Sequence, residues 1–276
     1  MKRRFVQLDV FTRRPFLGNP LAVVIDAEGL TTEQMQQFAM WTNLSETTFL
    51  LPPTHPEADY LVRIFTPVGE LPFAGHPTLG SAFAWLQHGG TPRHSDVITQ
   101  ECGVGLVTVH ADGDSMSFAA PPLIRSGPLE DVVFVEAISA LGLHRDDVVD
   151  AAWIDNGPGW LGLLLKSREE VLAVKPRSTE LKIGIAGPHD ANSPFAYEVR
   201  AFFPTGGVTI EDPVTGSLNA SLAQWLIGSG RFTAPYLVSQ GTAIGRSGVV
   251  RITTEASGTV WVGGNVVARI DGTVNF

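Results

Sequence analysis

The chain has 276 residues, 44% of them apolar and 17% charged, with a net charge of −9. That length and apolar share suit one large or two ordinary domains with a substantial core, and exclude intrinsic disorder. The acidic balance argues against non-specific nucleic-acid binding, which needs a basic face, but leaves room for a local cleft that takes a small anion. Lys2, Arg3 and Arg4 are followed by Gln7, Asp9 and Arg13, which break up any signal core. No run approaches the ~18 apolar residues of a membrane span. The single cysteine, Cys102, forms no intrachain disulfide, and the seven histidines include no i, i+4 pair, so no metal site is expected. A cytoplasmic protein with neither membrane nor nucleic-acid partner is the expectation.

In chain order, residues 4–10 alternate and read as a strand, and 21–25 form a second after Gly18-Asn19-Pro20. Thr31 and Gln34 have capping-box spacing and start a helix that stops before Asn43. Residues 47–51 and 60–65 read as strands, and 77–86 as a helix ended by Gly89-Gly90. A hairpin is expected from 104–109 and 115–118 across Asp112-Gly113. Pro121-Pro122 and Gly127-Pro128 make a stiff, turn-rich stretch that sets the boundary between lobes at 1–122 and 123–276, with the last strand free to pair back with the first lobe. Beyond it come a helix over 132–141, strands at 151–154, 161–165 and 182–185, a helix from Gly216 to about 227, and short strands at 249–253, 260–262 and 266–270.

The halves repeat. Phe65-Thr66-Pro67 precedes Gly75 and an apolar helix reaching Trp85; Phe202-Phe203-Pro204 precedes Gly216 and one reaching Trp225. This predicts an α+β chain of two pseudo-symmetric lobes, with a ligand cleft between them.

Three segments carry candidate chemistry. Gly75-His76-Pro77-Thr78 opens a helix, so its first N–H groups and the positive helix end suit a carboxylate or phosphate, or simply make a cap. Asp212-Pro213-Val214-Thr215-Gly216-Ser217 has the same form, and the pair suggests convergent helix ends. Glu46, in Asn43-Leu44-Ser45-Glu46-Thr47, sits before a buried strand, where desolvation favours acid–base use over the ordinary solvated loop. Gly157-Pro158-Gly159-Trp160-Leu161-Gly162 fits G-x-G-x-x-G in letters, but a strand follows it, so it reads as a turn.

These segments, together with Asp9-Val10-Phe11-Thr12, Pro15-Phe16-Leu17-Gly18-Asn19-Pro20, Gln240-Gly241, Gly245-Arg246 and Val262-Gly263-Gly264, make the chain resemble the PhzF-type phenazine-biosynthesis family of the diaminopimelate-epimerase-like superfamily. The resemblance implies a curved sheet or barrel around a central helix in each lobe, an active site between lobes, no cofactor and a homodimer. It implies isomerisation of a substrate such as trans-2,3-dihydro-3-hydroxyanthranilate, with Glu46 as acid–base residue and His76 and Asp212 assisting. Ser45, Thr215, Ser217 and the amides at Gly75 and Gly216 would then hold the substrate carboxylate. The superfamily's racemases place a Cys at each helix start; here those positions match Gly75 and Gly216, and Cys102 matches neither. Val214 and Leu218 stand where the family more often has Ala, and the bulk of Leu218 bears on pocket shape.

Three readings follow: a cofactor-free isomerase of a small cyclic or amino-acid-like carboxylate, an amino-acid racemase or epimerase, or a non-catalytic protein that binds a small carboxylate.

Overall fold

The alternating N-terminal residues form β1 (Lys2–Val10), and the run after Gly18 forms β2 (Asn19–Val24). Thr31 caps α1 (Thr32–Thr42): its hydroxyl accepts from Gln34 N and its own N–H donates to Gln34 Oε1. Asn43 then closes α1 in the left-handed region at φ 54°. There follow β3 (Glu46–Leu51), β4 (Tyr60–Thr66), β5 (Gly69–Leu71), α2 (Gly75–Gln87), β6 (Val97–Cys102), β7 (Gly105–Asp112) and β8 (Ser115–Ala119). Next come β9 (Arg125–Pro128), α3 (Asp131–Leu141), β10 (Val148–Asp155), β11 (Trp160–Leu165) and α4 (Arg168–Ala173). The chain ends with β12 (Lys182–Pro188), β13 (Phe195–Thr205), β14 (Val208–Asp212), α5 (Gly216–Gly228), β15 (Tyr236–Gln240), β16 (Gly248–Thr254) and β17 (Val260–Asn275). This computed structural model describes residues 1–95 and 97–276, in two units: 1–119 with 263–276, and 120–262.

In the first unit eight strands close a barrel. β1 pairs with β2 and β17, then β2 with β3, β3 with β4, β4 with β6, β6 with β7, β7 with β8, and β8 with β17. The β2–β3 and β4–β6 pairs are parallel, because α1 and α2 respectively carry the chain across. α2 packs against β1, β2, β3, β6, β7 and β8, and every residue from Gly75 to Ala84 is buried. Gly80 permits this approach: a Cβ there would lie 2.4 Å from Leu21 Cδ2. α1 covers the other face of β3 and β4, burying Met35 and Ala39 against Phe49 and Phe65.

The second unit runs through the same order. β10, β11, α4, β12, β13, β14, α5, β15 and β16 take the roles of β1 to β7 with α1 and α2. The β11–β12 and β13–β15 pairs are again parallel. α5 lies against β10, β11 and β12, while α3 and α4 pack on Leu163, Ile183 and Phe202.

The structure differs from the expected elements in several places. The division falls after residue 119 rather than 122, while residues 263–276 pair back with the first unit in keeping with the expectation for the last strand. The expected strands at 260–262 and 266–270 are one strand, β17. α2 starts at Gly75, two residues before Pro77. Gly127-Pro128 lies in β9, paired with Trp153 and Ala152, rather than in a turn. α4 was not expected, although Ser167 accepts from Glu170 N and so caps it. No described helix is long and apolar enough to cross a membrane.

Candidate active site

Strand alternation decides where Glu46 points. On β3, Thr48 Oγ1 accepts from Ser81 Oγ of α2 at 2.9 Å, whereas Thr47 Oγ1 lies 3.0 Å from Thr42 Oγ1 of α1. Glu46 shares the face of Thr48, so its side chain turns to the start of α2. There Glu46 Oε2 lies 3.4 Å from Nε2 of His76, the second residue of that helix, with side chains 16% and 5% exposed. Burial pushes the His76 imidazole down to about 3, and a hydrogen bond to the Pro20 carbonyl works in the opposite direction. His76 is therefore neutral near pH 7, and its contact with Glu46 is polar rather than an ion pair. On the other side of the ring, Asn19 Nδ2 lies 3.3 Å from Nδ1. Ala74 offers no side-chain cap, so the first turn of α2 lacks a side-chain acceptor of its own. Ser45 is half-buried in the bend before Glu46.

The second unit builds a tighter arrangement at the start of α5. Asp212 ends β14, buried, and its Oδ2 accepts from Thr215 Oγ1 at 2.5 Å. Thr215 holds the N-cap position, but its hydroxyl serves Asp212 instead of the helix. Gln240 ties the loop together. Its Oε1 accepts from Thr215 N at 3.0 Å and Asn219 Nδ2 at 2.7 Å, while its Nε2 donates to Asp212 O at 3.2 Å and Thr215 Oγ1 at 3.0 Å. Ser217 is engaged too: its Oγ accepts from Trp160 Nε1 and its carbonyl from Asn156 Nδ2, each at 3.0 Å. Gly75 and Gly216 are the first helical residues, and neither takes a left-handed φ.

The first unit thus gathers Ser45, Glu46, Gly75 and His76, and the second gathers Asp212, Thr215, Gly216 and Ser217. Sequence reading missed Asn19, Asn219 and Gln240 as partners. Asn19 sat in an apparent turn signal, and its one usable sign was a polar residue beginning an apolar strand. The bulk of Leu218 is absorbed inside the unit: a Cβ on Gly184 would lie 2.3 Å from Leu218 Cδ1, so glycine makes the space. Gly248 does the same for Val214, with a Cβ-to-Cγ2 separation of 2.3 Å. The Cys102 thiol is pushed up by burial and donates to the Gly105 carbonyl at 3.6 Å, which suits a small core residue. Gly157 and Gly159 form a turn whose N–H groups donate to Asp155 Oδ1 at 2.7 and 2.6 Å, leading into β11. Among the described residues no three His, Cys, Asp or Glu side chains gather to hold a metal ion.

A strand-built wall around a buried, glycine-opened helix, made twice in one chain, defines an epimerase-like fold. A PhzF family protein of Enterococcus faecalis superposes on it over 100% of both chains, with a TM-score of 0.81 and 24% identity. Residues 8–272 match the family described as "Phenazine biosynthesis-like protein", and the chain belongs to that family. Its relatives include "Antisense-enhancing sequence 1" of Schizosaccharomyces pombe, 38% identical over 97% of each chain. The "Trans-2,3-dihydro-3-hydroxyanthranilate isomerase" of Pseudomonas fluorescens is 34% identical over 98% of each. The chain is accordingly an isomerase of the PhzF-like kind.

Proposed function

We propose that this isomerase moves a proton between two carbons of a small cyclic or amino-acid-like carboxylate without a cofactor, with Glu46 taking and returning the proton. The observation that carries this reading is Glu46 held 3.4 Å from a buried, neutral His76 at the uncapped start of α2. A carboxylate beside a neutral imidazole can cycle between its two protonation states without creating a second buried charge. Ser45, Thr215, Ser217 and the amides at Gly75 and Gly216 are proposed to hold the substrate carboxylate, drawing on the positive ends of two helices. Asp212 is proposed to act on the same molecule.

The test is Glu46→Gln, which keeps shape and removes the proton carrier. A panel of small carboxylates, including trans-2,3-dihydro-3-hydroxyanthranilate, is followed by NMR for conversion. Turnover should fall ~10²–10⁴-fold; a fall of only a few-fold overturns the role of Glu46. Asp212→Asn combined with Glu46→Gln should lose less than the sum of the two single losses if both groups serve one step. A homodimer is proposed from the family resemblance, and light scattering at micromolar concentration that returns the mass of one chain would overturn it.

A further inference from the structure

A neutral imidazole has one proton for two nitrogens, and the surroundings of His76 make opposite demands on it. Nε2 faces Glu46 Oε2 at 3.4 Å, and the Pro20 carbonyl offers the ring a second acceptor for its proton. Asn19 Nδ2, a donor, stands 3.3 Å from Nδ1, the nitrogen turned away from Glu46. A ring proton given to that carbonyl rather than to Glu46 would sit on Nδ1. The amide, donating to the Nδ1 lone pair, leaves the proton on Nε2, the side of the ring nearest Glu46.

We propose that Asn19 is a positioning residue that selects the Nε2–H form of His76 and so makes Glu46 rest as a base. With the proton on Nε2, His76 donates toward Glu46 and favours its carboxylate form. With the proton on Nδ1, the Nε2 lone pair would favour protonated Glu46, which would begin the reaction as an acid. The inference rests on the proton-transfer reading of the Glu46 site.

The fold holds Asn19 firmly for this task. It is the fully buried first residue of β2, paired with Val10 of β1. The turn before it is clamped by buried Asp9, whose Oδ2 accepts from Leu17 N at 3.1 Å and Oδ1 from Gly18 N at 2.9 Å. Gly18 tolerates no side chain, since a Cβ would lie 2.2 Å from the Val10 carbonyl. The chain therefore enters Asn19 along one route, with its side chain on the same strand face as Leu21, which reaches Gly80 of α2.

The experiment is two-bond ¹⁵N–¹H correlation on the full chain with ring-labelled histidine at pH 7. The His76 signals are identified by their loss in His76→Gln. In the wild type the pyrrole-type nitrogen should be Nε2. In Asn19→Ala the Pro20 carbonyl should capture the proton, and the two nitrogen types should exchange places. Asn19→Asp, nearly equal in volume and able only to accept, should give the same exchange and decides the matter if Asn19→Ala does not fold. A wild-type Nδ1–H form, or an Nε2–H form unchanged in the folded variants, overturns the assignment. In turnover, either Asn19 variant should lower kcat with KM little changed and move the acidic limb of the pH profile upward. The two ideas fail separately. An unchanged tautomer with a large Glu46→Gln loss removes the role of Asn19 alone. The expected exchange with a nearly active Glu46→Gln removes the proton-transfer reading and leaves Asn19 as what sets the ring.

Discussion

The starts of α2 and α5 share a glycine, a position in the repeat and a helix length, yet their surroundings differ. At α2 the contacts to His76 are long, 3.4 Å to Glu46 and 3.3 Å to Asn19. At α5 the bonds joining Asp212, Thr215, Asn219 and Gln240 run from 2.5 to 3.2 Å, and Thr215, Asn219 and Gln240 are all buried. The hairpins leading into these helices show the same contrast. Phe65 faces Glu70 and Phe202 faces Glu211; Arg63 and Arg200 lie over those rings at 5.1 and 4.9 Å and pair with those glutamates. The first ion pair leaves side chains 26% and 39% exposed, the second only 6% and 8%. Arg200 also donates to the Val171 and Val174 carbonyls at the end of α4, where a cation meets the negative helix end. One sequence device is therefore worth different amounts in the two places, because desolvation sets its strength. Gln100 of β6 ties Thr78 of α2 at 3.0 Å much as Gln240 ties Thr215, so the contrast is confined to the longer contacts of Glu46 and Asn19 with His76 and to the two ion pairs.

The contrast can be broken at several points. The largest effect expected is on turnover: Glu46→Gln should lose ~10²–10⁴-fold with little change in Tm, whereas Asp212→Asn should also lower Tm because it disturbs a buried bond. Equal Tm losses would remove the distinction between a loose and a knit site. Next, Arg200→Met should destabilise by ~3–5 kcal/mol in denaturant titrations, since it strands Glu211 in the interior. The third test uses pH. Below about 6.5 the unfolded chain takes a proton at residue 76 that the folded chain refuses until about pH 3. Wild-type stability should therefore fall with falling pH across that window, with His76 adding up to ~1.4 kcal/mol per pH unit. His76→Gln should flatten the slope, and an unchanged slope would mean that His76 charges freely in the fold. Smallest is Arg63→Met, expected to cost ~1 kcal/mol or less; a loss matching Arg200→Met would show that burial does not decide the difference.

Much of the fold was legible because its signals are local. The Thr31–Gln34 cap, the left-handed Asn43 and the left-handed Gly142 after α3 each follow from a residue's own hydrogen-bonding or conformational preference. The unbroken course of β17 was hidden because Gly263-Gly264 reads as a stop. Gly263 is instead a close approach, since a Cβ there would lie 2.6 Å from the Met116 carbonyl. α4 has six residues, too few to show a helical period. Within the site, Glu46 and His76 stood out by residue type and position at element starts. Asn19 did not, because its meaning depends on a side chain 57 positions away. Gln240 is likewise 28 positions from the Asp212 carbonyl it holds.

The course of β17 also bears on how the protein is made. β1 leaves the ribosome well before β17, and its partners along β17 are residues 266–275. The barrel around His76 thus stays open on one side while residues 120–262 are synthesised. During that interval β1 has β2 but lacks its other neighbour, and α2 waits inside an unsealed wall. A frameshift or early stop after residue 262 would spare Glu46, His76, Asp212 and Gln240 and still remove a stave of the barrel. Damage late in the coding order would then fall on a site encoded earlier in it.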